Sequence, residues 1–248
     1  RECSSLAAAQ QPHARRAGCN AGCWRLMDSL LHRHDLVWLE PASALDSYAV
    51  NPVQAGAVRE WIDSGNPLVV TRQQWSATPE EAAVLLGFTL PPPLTRQRVS
   101  VRVPFSMVTR HAGPLGLREA LPCPSNWSNM LLQLIKICGE AEVKVCAYGA
   151  LAWQTLTGRS YLTAASDIDL LFYCDDIVTA GGLCSRLAPF RDSCPRLDGE
   201  IISNSGRGVS WREFDTAIKS GETAQILSKS LYEVQLVSVS DFFGTSNV

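Results

Sequence analysis

Residues 166–174, SDIDLLFYC, constrain this chain more than any other stretch. They read as a strand. Strand side chains alternate, so Asp167 and Asp169 share one face, about 6–7 Å apart at Cα. Leu170, Leu171 and Phe172 follow directly and are apolar. Two acids on a mostly apolar strand are costly unless something neutralises them. Paired carboxylates at this spacing are able to pivot inward and share a hard cation such as Mg²⁺. A solvated strand end is the plain alternative for the pair taken alone.

Two further features flank that strand. Residues 143–149 (VKVCAYG) read as a strand running into a glycine, and residues 150–158 (ALAWQTLTG) as a helix that starts immediately after it. A glycine lets backbone come close to a phosphate, and a helix N-terminus offers unpaired N–H groups. Gly149 and Ala150 are therefore candidate phosphate-binding residues, although a tight turn alone is the simpler reading. Downstream, residues 196–203 (RLDGEIIS) read as a strand with Asp198 and Glu200 on one face. A third carboxylate on a neighbouring strand would complete a two-metal site or accept a proton from a nucleophile. A polar edge strand explains it equally well in isolation.

The rest of the chain supplies the frame. Residues 34–39 read as a short strand or extended entry. Residues 53–65 read as an amphipathic helix with Val53, Ala57, Val58, Trp61 and Ile62 on one face and Gly65 as its stop. Residues 67–73 read as a strand. Residues 79–87 (PEEAAVLLG) read as a short helix, with Pro and acids at its start and Gly at its end. Residues 91–94 read as a turn or extended corner. Residues 96–105 alternate as a strand with Arg96, Arg98 and Arg102 on one side. Pro114, Gly116, Pro122 and Pro124 mark a domain boundary near 110–125. Beyond it come helices over 125–141 and 177–190, a hairpin of 196–203 with 208–214, and a strand pair over 224–230 and 233–239. The fold class is α/β (α+β). A small N-terminal α/β domain is expected over 27–115 and a mixed-sheet domain over 125–248.

The order strand–Gly–helix, then D-x-D on a strand, then a later acidic strand resembles the nucleotidyltransferase superfamily with its polymerase-beta-like fold. More specifically, the chain is similar to the phosphoribosyl-dephospho-CoA transferases of malonate decarboxylase, also called holo-acyl-carrier-protein synthases. The residues that carry the likeness are HDLVWLEP (34–41), YGALAWQTLTG (148–158), TAASDIDLLF (163–172), and RLDGEI with GVSWREF between 196 and 214. It spans roughly residues 33–243 and is more specific in the second half. One departure stands out. The family's turn is usually Gly-Ser, and here it is Gly149–Ala150, so a hydroxyl that would help hold a triphosphate is missing.

The resemblance implies transfer of a prosthetic group. The donor would be 2′-(5″-triphosphoribosyl)-3′-dephospho-CoA and the acceptor a serine of the malonate decarboxylase acyl-carrier protein, with pyrophosphate released. Asp167, Asp169 and Asp198 would be the catalytic residues, with Asp167 and Asp169 holding Mg²⁺ and Gly149 and Ala150 presenting N–H groups to the phosphates. Arg159, Arg207 and Arg212 are candidate phosphate contacts, against the plainer reading of solvated arginines. Arg96 and Arg98 are candidates for seating the carrier protein or the CoA phosphates. Trp153 and Trp211 would stack on adenine or pack in the core. Besides a plain α/β protein whose acids coincide by chance, two rivals remain open. One is a nucleotidyltransferase with another donor and acceptor. The other is a non-catalytic nucleotide-binding module, which Ala150 favours and the three retained aspartates oppose.

Composition narrows the setting. The chain has 248 residues, 46% hydrophobic and 19% charged, with a formal net charge of −2. That suffices for a sizeable core and offers no general attraction to nucleic acid. Apolar runs such as 131–135 are far too short to cross a bilayer, and no secretory signal is evident. The nine cysteines are accordingly expected as free thiols in the cytoplasm. Cys19, Cys23, His32 and His34 place one residue between the histidines, where zinc-finger spacing needs three to five, and read as chance. Residues 1–26 are expected to be a disordered or non-native leader, with Met27 opening the folded part.

Overall fold

The computed structural model describes residues 31–41, 52–74, 83–91, 97–121 and 125–244. Residues 1–26, Cys19 and Cys23 included, lie outside the described residues, as does Arg96.

The first half builds a five-stranded antiparallel sheet from β1 (Leu36–Leu39), β2 (Leu68–Val70), β3 (Ala83–Thr89), β4 (Arg98–Pro104) and β5 (Val108–Ala112), in the order β4-β3-β2-β1-β5. Helix α1 (Ala55–Asp63) covers one face, burying Val58, Trp61 and Ile62 as its periodicity predicts. Val53 is a correction. It sits in a 3₁₀ turn ahead of the helix and is 91% exposed, because the tighter turn rotates it away from the helical stripe.

A second correction concerns residues 79–87. Residues 83–89 form β3, not a helix, and residues 79–82 lie outside the described residues. Val84, Leu86 and Phe88 are buried at alternate positions, and the strand pairs with β4 over seven residues while β2 lies on its other side. Two neighbouring ladders satisfy its backbone, and that tertiary gain overrides the modest local helix signal of Pro, Glu and Gly.

The second half forms a seven-stranded sheet in the order β12-β11-β10-β9-β8-β7-β6. Its strands are β6 (Leu115–Gly116), β7 (Lys144–Ala147), β8 (Ile168–Tyr173), β9 (Leu197–Ile202), β10 (Gly208–Ser210), β11 (Gln225–Lys229) and β12 (Val234–Ser238). The β8–β9 pairing is parallel and the other pairings are antiparallel, so the sheet is mixed. Helices α2 (Ser125–Glu140), α3 (Gly149–Thr157), α4 (Ile177–Leu187), α5 (Trp211–Ser220) and α6 (Val239–Phe243) accompany it. Helix α4 is the crossover that parallel strands require. Asp176 caps it by accepting from the Thr179 N–H at 2.7 Å.

The expected strand over 208–214 is shorter than its sequence suggests. β10 ends at Ser210 and α5 begins at Trp211. Trp211, Phe214 and Ala217 recur every three residues and are all buried, a helical spacing that packs behind the sheet.

The chain passes from the first sheet to the second between Ala112 and Leu115, yet the two halves share contacts. Trp153 and Tyr161 of the second half belong to the core of the first. Trp61 stacks on Phe88 at 4.2 Å and meets Trp153 edge-on at 5.5 Å. The Tyr161 hydroxyl donates to the Thr89 carbonyl at 2.7 Å, and the Gln73 N–H donates to the Leu231 carbonyl at 2.7 Å. Among the described residues all five cysteines are free, and four of them are buried. No helix of the described residues is long and apolar enough to cross a membrane.

Asp35 immediately precedes β1 and is 4% exposed. Its Oδ2 accepts the His32 backbone N–H at 2.8 Å and lies 2.8 Å from His111 Nε2. Burial acts to raise its pKa, but the bonds to His32 and His111 win and hold it below the ordinary 3.8. A lowered folded pKa gives stability that is present above the unfolded value and lost as pH falls through the folded one. Asp35→Ala is expected to cost about 2 kcal/mol, or about 4–8 °C in Tm. The gap from wild type should be full near pH 7 and narrow below pH 3.8. Melting curves at pH 7 and pH 3 check this.

Candidate active site

The turn after β7 is built on a glycine for two physical reasons. Gly149 has φ +65°, which side chains of L-residues rarely tolerate. A Cβ placed there would also lie 2.0 Å from Asp169 Oδ2 and 2.8 Å from its Cγ. The carboxylate thus rests on the bare α-carbon. The Tyr148 N–H donates to the Asp169 carbonyl at 3.0 Å and fixes the turn to β8. Helix α3 starts at Gly149 with no side-chain cap, so its first N–H groups have no intrahelical partner.

Asp169 and Asp198 are direct partners in the parallel β8–β9 register, which places their backbones about 4.8 Å apart. Gly199 permits this spacing, since a Cβ there would meet the Leu170 carbonyl oxygen at 2.6 Å. Asp167 sits one residue before β8, half-buried on the same side as Asp169, while Ser166, Ile168 and Leu170 alternate as buried residues. Asp198 is anchored. Its Oδ1 accepts the Gly199 N–H at 2.9 Å, and Arg196 lies 3.4 Å from Oδ2.

These groups open onto two adjoining cavities between the sheets. One, of about 570 Å³, is lined by Asp169, Asp198, Glu200, Tyr148 and Gly149 together with residues of β1 to β4. The other, of about 390 Å³, is lined by Asp167, Asp169, Gly149 and Ala150. Gly149, Asp169, Trp153, Thr89 and Arg98 border both.

Glu200 is 6% exposed and holds an ionic cluster at the wall of the larger cavity. Lys229 Nζ donates to Oε1 at 2.8 Å and Arg33 Nη2 to Oε1 at 3.4 Å. Oε2 lies 3.2 Å from Arg33 Nη1 and 3.6 Å from His34 Nε2, near enough for charge attraction but without an aligned hydrogen bond. Burial acts to raise its pKa, yet His34, Arg33 and Lys229 pull it well below the usual carboxylate range. Tyr148 lies 4.7 Å from the His34 ring. Burial first, and then the charges of Asp169, Glu200 and Asp198, push its phenol far up, so it stays protonated.

The fold brings Asp167, Asp169, Asp198, Gly149 and Ala150 to one cleft and turns the three arginines elsewhere. Arg159 pairs with Glu60 at 3.6 Å over the Trp61 ring. Arg207 donates to the Asp241 carbonyl at 3.0 Å. Arg212 donates to the carbonyls of Arg191 at 2.6 Å and Leu197 at 3.1 Å. None of them borders either cavity. Trp211 is fully buried core, whereas Trp153 is a core residue that also reaches the cavity walls. Sequence reasoning missed Arg33, Tyr148 and Lys229 as cleft residues. Arg33 and Lys229 carry no spacing signal, and Tyr148 was visible only as the neighbour of Gly149.

Among the described residues no group of three or more His, Cys, Asp and Glu side chains is arranged to hold a metal ion. His32 is committed to Asp35, and His34 faces Glu200 and Tyr148. The hard oxygens of Asp167 and Asp169 nonetheless fit Mg²⁺, which typically takes one or two carboxylates and completes its shell with water and substrate phosphates.

The sequence comparisons agree with one another. The family described as the phosphoribosyl-dephospho-CoA transferase MdcG N-terminal domain matches residues 32–114, and the corresponding C-terminal domain matches residues 114–240. A phosphoribosyl-dephospho-CoA transferase of Bradyrhizobium diazoefficiens is 34% identical over 219 residues, covering 85% of this chain and 91% of the relative. That of Xanthomonas euvesicatoria is 32% identical over 207 residues, covering 83% and 93%. No solved structure matches the chain. With both family domains matched in order and relatives covered almost end to end, this chain belongs to the phosphoribosyl-dephospho-CoA transferase family.

Proposed function

We propose that this transferase moves the phosphoribosyl-dephospho-CoA part of 2′-(5″-triphosphoribosyl)-3′-dephospho-CoA onto a serine of the malonate decarboxylase acyl-carrier protein, by nucleotidyl transfer. The observation that carries the proposal is the Asp169–Asp198 pairing beside Gly149 at the mouth of a cleft. The serine Oγ attacks the α-phosphorus. A phosphodiester bond forms, the bond from the α-phosphorus to the α–β bridging oxygen breaks, and pyrophosphate leaves with that oxygen.

The roles follow from position. Asp167 and Asp169 would hold Mg²⁺, which when bound neutralises phosphate charge. Asp198, across the register from Asp169, takes the serine proton. The first N–H groups of α3 point at the β- and γ-phosphates and do the work that a serine hydroxyl at position 150 would otherwise share. Trp153 and the wall of the first sheet exclude water around the reacting phosphorus, which strengthens each electrostatic contact there.

Purified chain, carrier protein, the triphosphoribosyl donor and Mg²⁺ should give a carrier whose mass rises by the transferred group, with one pyrophosphate released per carrier. ATP offered as donor should give none. Transfer from ATP, or no mass gain from the CoA derivative, refutes the assignment.

Asp169→Asn and Asp167→Asn should each lower kcat by at least roughly a hundredfold, with melting temperatures close to wild type. A variant that keeps wild-type transfer removes that residue from the mechanism. Gly149→Ala should lower both stability and transfer, because the new Cβ strikes the Asp169 carboxylate and strains the backbone by about 1–2 kcal/mol. Adding Asp169→Ala to that variant removes the 2.0 and 2.8 Å contacts and leaves a tight 3.1 Å one to the remaining Cβ, so Tm should recover in part while transfer stays absent. A double variant that melts lower than Gly149→Ala alone contradicts this account.

A further inference from the structure

The larger cleft is bordered by three acidic side chains, Asp169, Asp198 and Glu200, and three basic ones, Arg33, Arg98 and Lys229. The cations are not equivalent. Arg33 is spent inside the protein. Its Nη1 donates to the Lys229 carbonyl at 3.3 Å and faces Glu200 Oε2, and its Nη2 lies on His34 and Glu200 Oε1. Lys229 is different. An ammonium carries three N–H donors, and Glu200 takes one of them at 2.8 Å. Its side chain is 36% exposed, against 15% for Arg33.

Arg98 has no hydrogen bond or ion pair among the described residues, and it borders both cavities beside Gly149 and Asp169. It projects from β4, opposite Thr89 of β3, on the exposed alternation of a strand whose valines are buried. Burial of Val99, Val101 and Val103 fixes which way Arg98 points. The Glu200 bond, reinforced by Arg33, fixes Lys229 in the same manner from the second sheet.

We propose that Arg98 and Lys229 are the cations that bind the polyphosphate of the substrate, one contributed by each sheet, with Glu200 and Arg33 acting as positioning residues for Lys229. This rests on the function proposed above for the donor. It assigns the phosphate contacts to residues other than Arg159, Arg207 and Arg212. It also makes the first sheet part of the binding site, since neither half of the chain carries both cations. Guanidinium and ammonium groups are the side chains suited to several adjacent phosphate oxygens, and the carboxylates nearby are left to hold the metal.

The test uses the full chain and Mg²⁺–tripolyphosphate as the probe, by calorimetric titration. Wild type should bind it. Arg98→Met and Lys229→Met should each weaken binding at least tenfold and flatten its salt dependence. Lys229→Arg should retain most of the affinity. In the transfer assay the Met variants should raise KM for the donor at least tenfold while kcat stays within about threefold. Arg98→Met should melt within a few degrees of wild type, whereas Lys229→Met should melt lower because it strips a partner from buried Glu200. Failure of wild type to bind the probe overturns the site, and an unchanged dissociation constant in either variant overturns the assignment of that residue. A wild type that transfers the group while both variants keep its KM overturns this inference and leaves the function standing. A wild type that binds the probe through both cations but transfers nothing refutes the function and leaves the phosphate site.

Discussion

The carboxylate of Asp169 lies against the bare α-carbon of Gly149, and the cleft is organised from that contact. It requires β7 to end in a left-handed turn, it starts α3 at the same point, and it holds the first N–H groups of that helix beside an acid. The parallel β8–β9 register then sets Asp198 next to Asp169. Any side chain at position 149 would separate these groups. Glycine here is a spatial requirement as much as a conformational one.

A second constraint joins the two halves. Glu200 is a buried carboxylate on β9, and its partners come from the stretch just before β1 and from β11. Burying a charge costs several kcal/mol unless its partners are close and well placed. Lys229 belongs to the same sheet as Glu200, but Arg33 and His34 meet that condition only when the first sheet is docked on the second. The stacking of Trp61 on Phe88 and its edge contact with Trp153 add apolar area to the same junction. The cleft wall formed by β1 to β4 is therefore held in place by the same contacts that neutralise Glu200.

Much of the architecture was legible in the residues. Alternation identified β4, β1 and β8 were also read as strands, the apolar stripe of Val58, Trp61 and Ile62 identified α1, and the β11–β12 pair read correctly. β3 was misread because Pro79, two glutamates and Gly87 imitate helix punctuation, while the deciding contribution came from its pairing with β4. The switch from β10 into α5 at Trp211 was hidden for a related reason. A buried apolar residue at every third position is helical only when a sheet surface lies behind it, and the sequence does not show that surface.

By itself the sequence determined the local devices: a glycine between strand and helix, two aspartates two residues apart on an apolar strand, and a third acid on a later strand. These are short-range patterns, set by backbone geometry and by the alternation of side chains. Only the tertiary structure decided which charges share the cleft. It sent Arg159, Arg207 and Arg212 to Glu60 and to backbone carbonyls, and it brought Arg33, Arg98 and Lys229 together from segments as much as 196 residues apart. A long side chain's partner depends on the packing of distant strands, and no spacing along the chain encodes that.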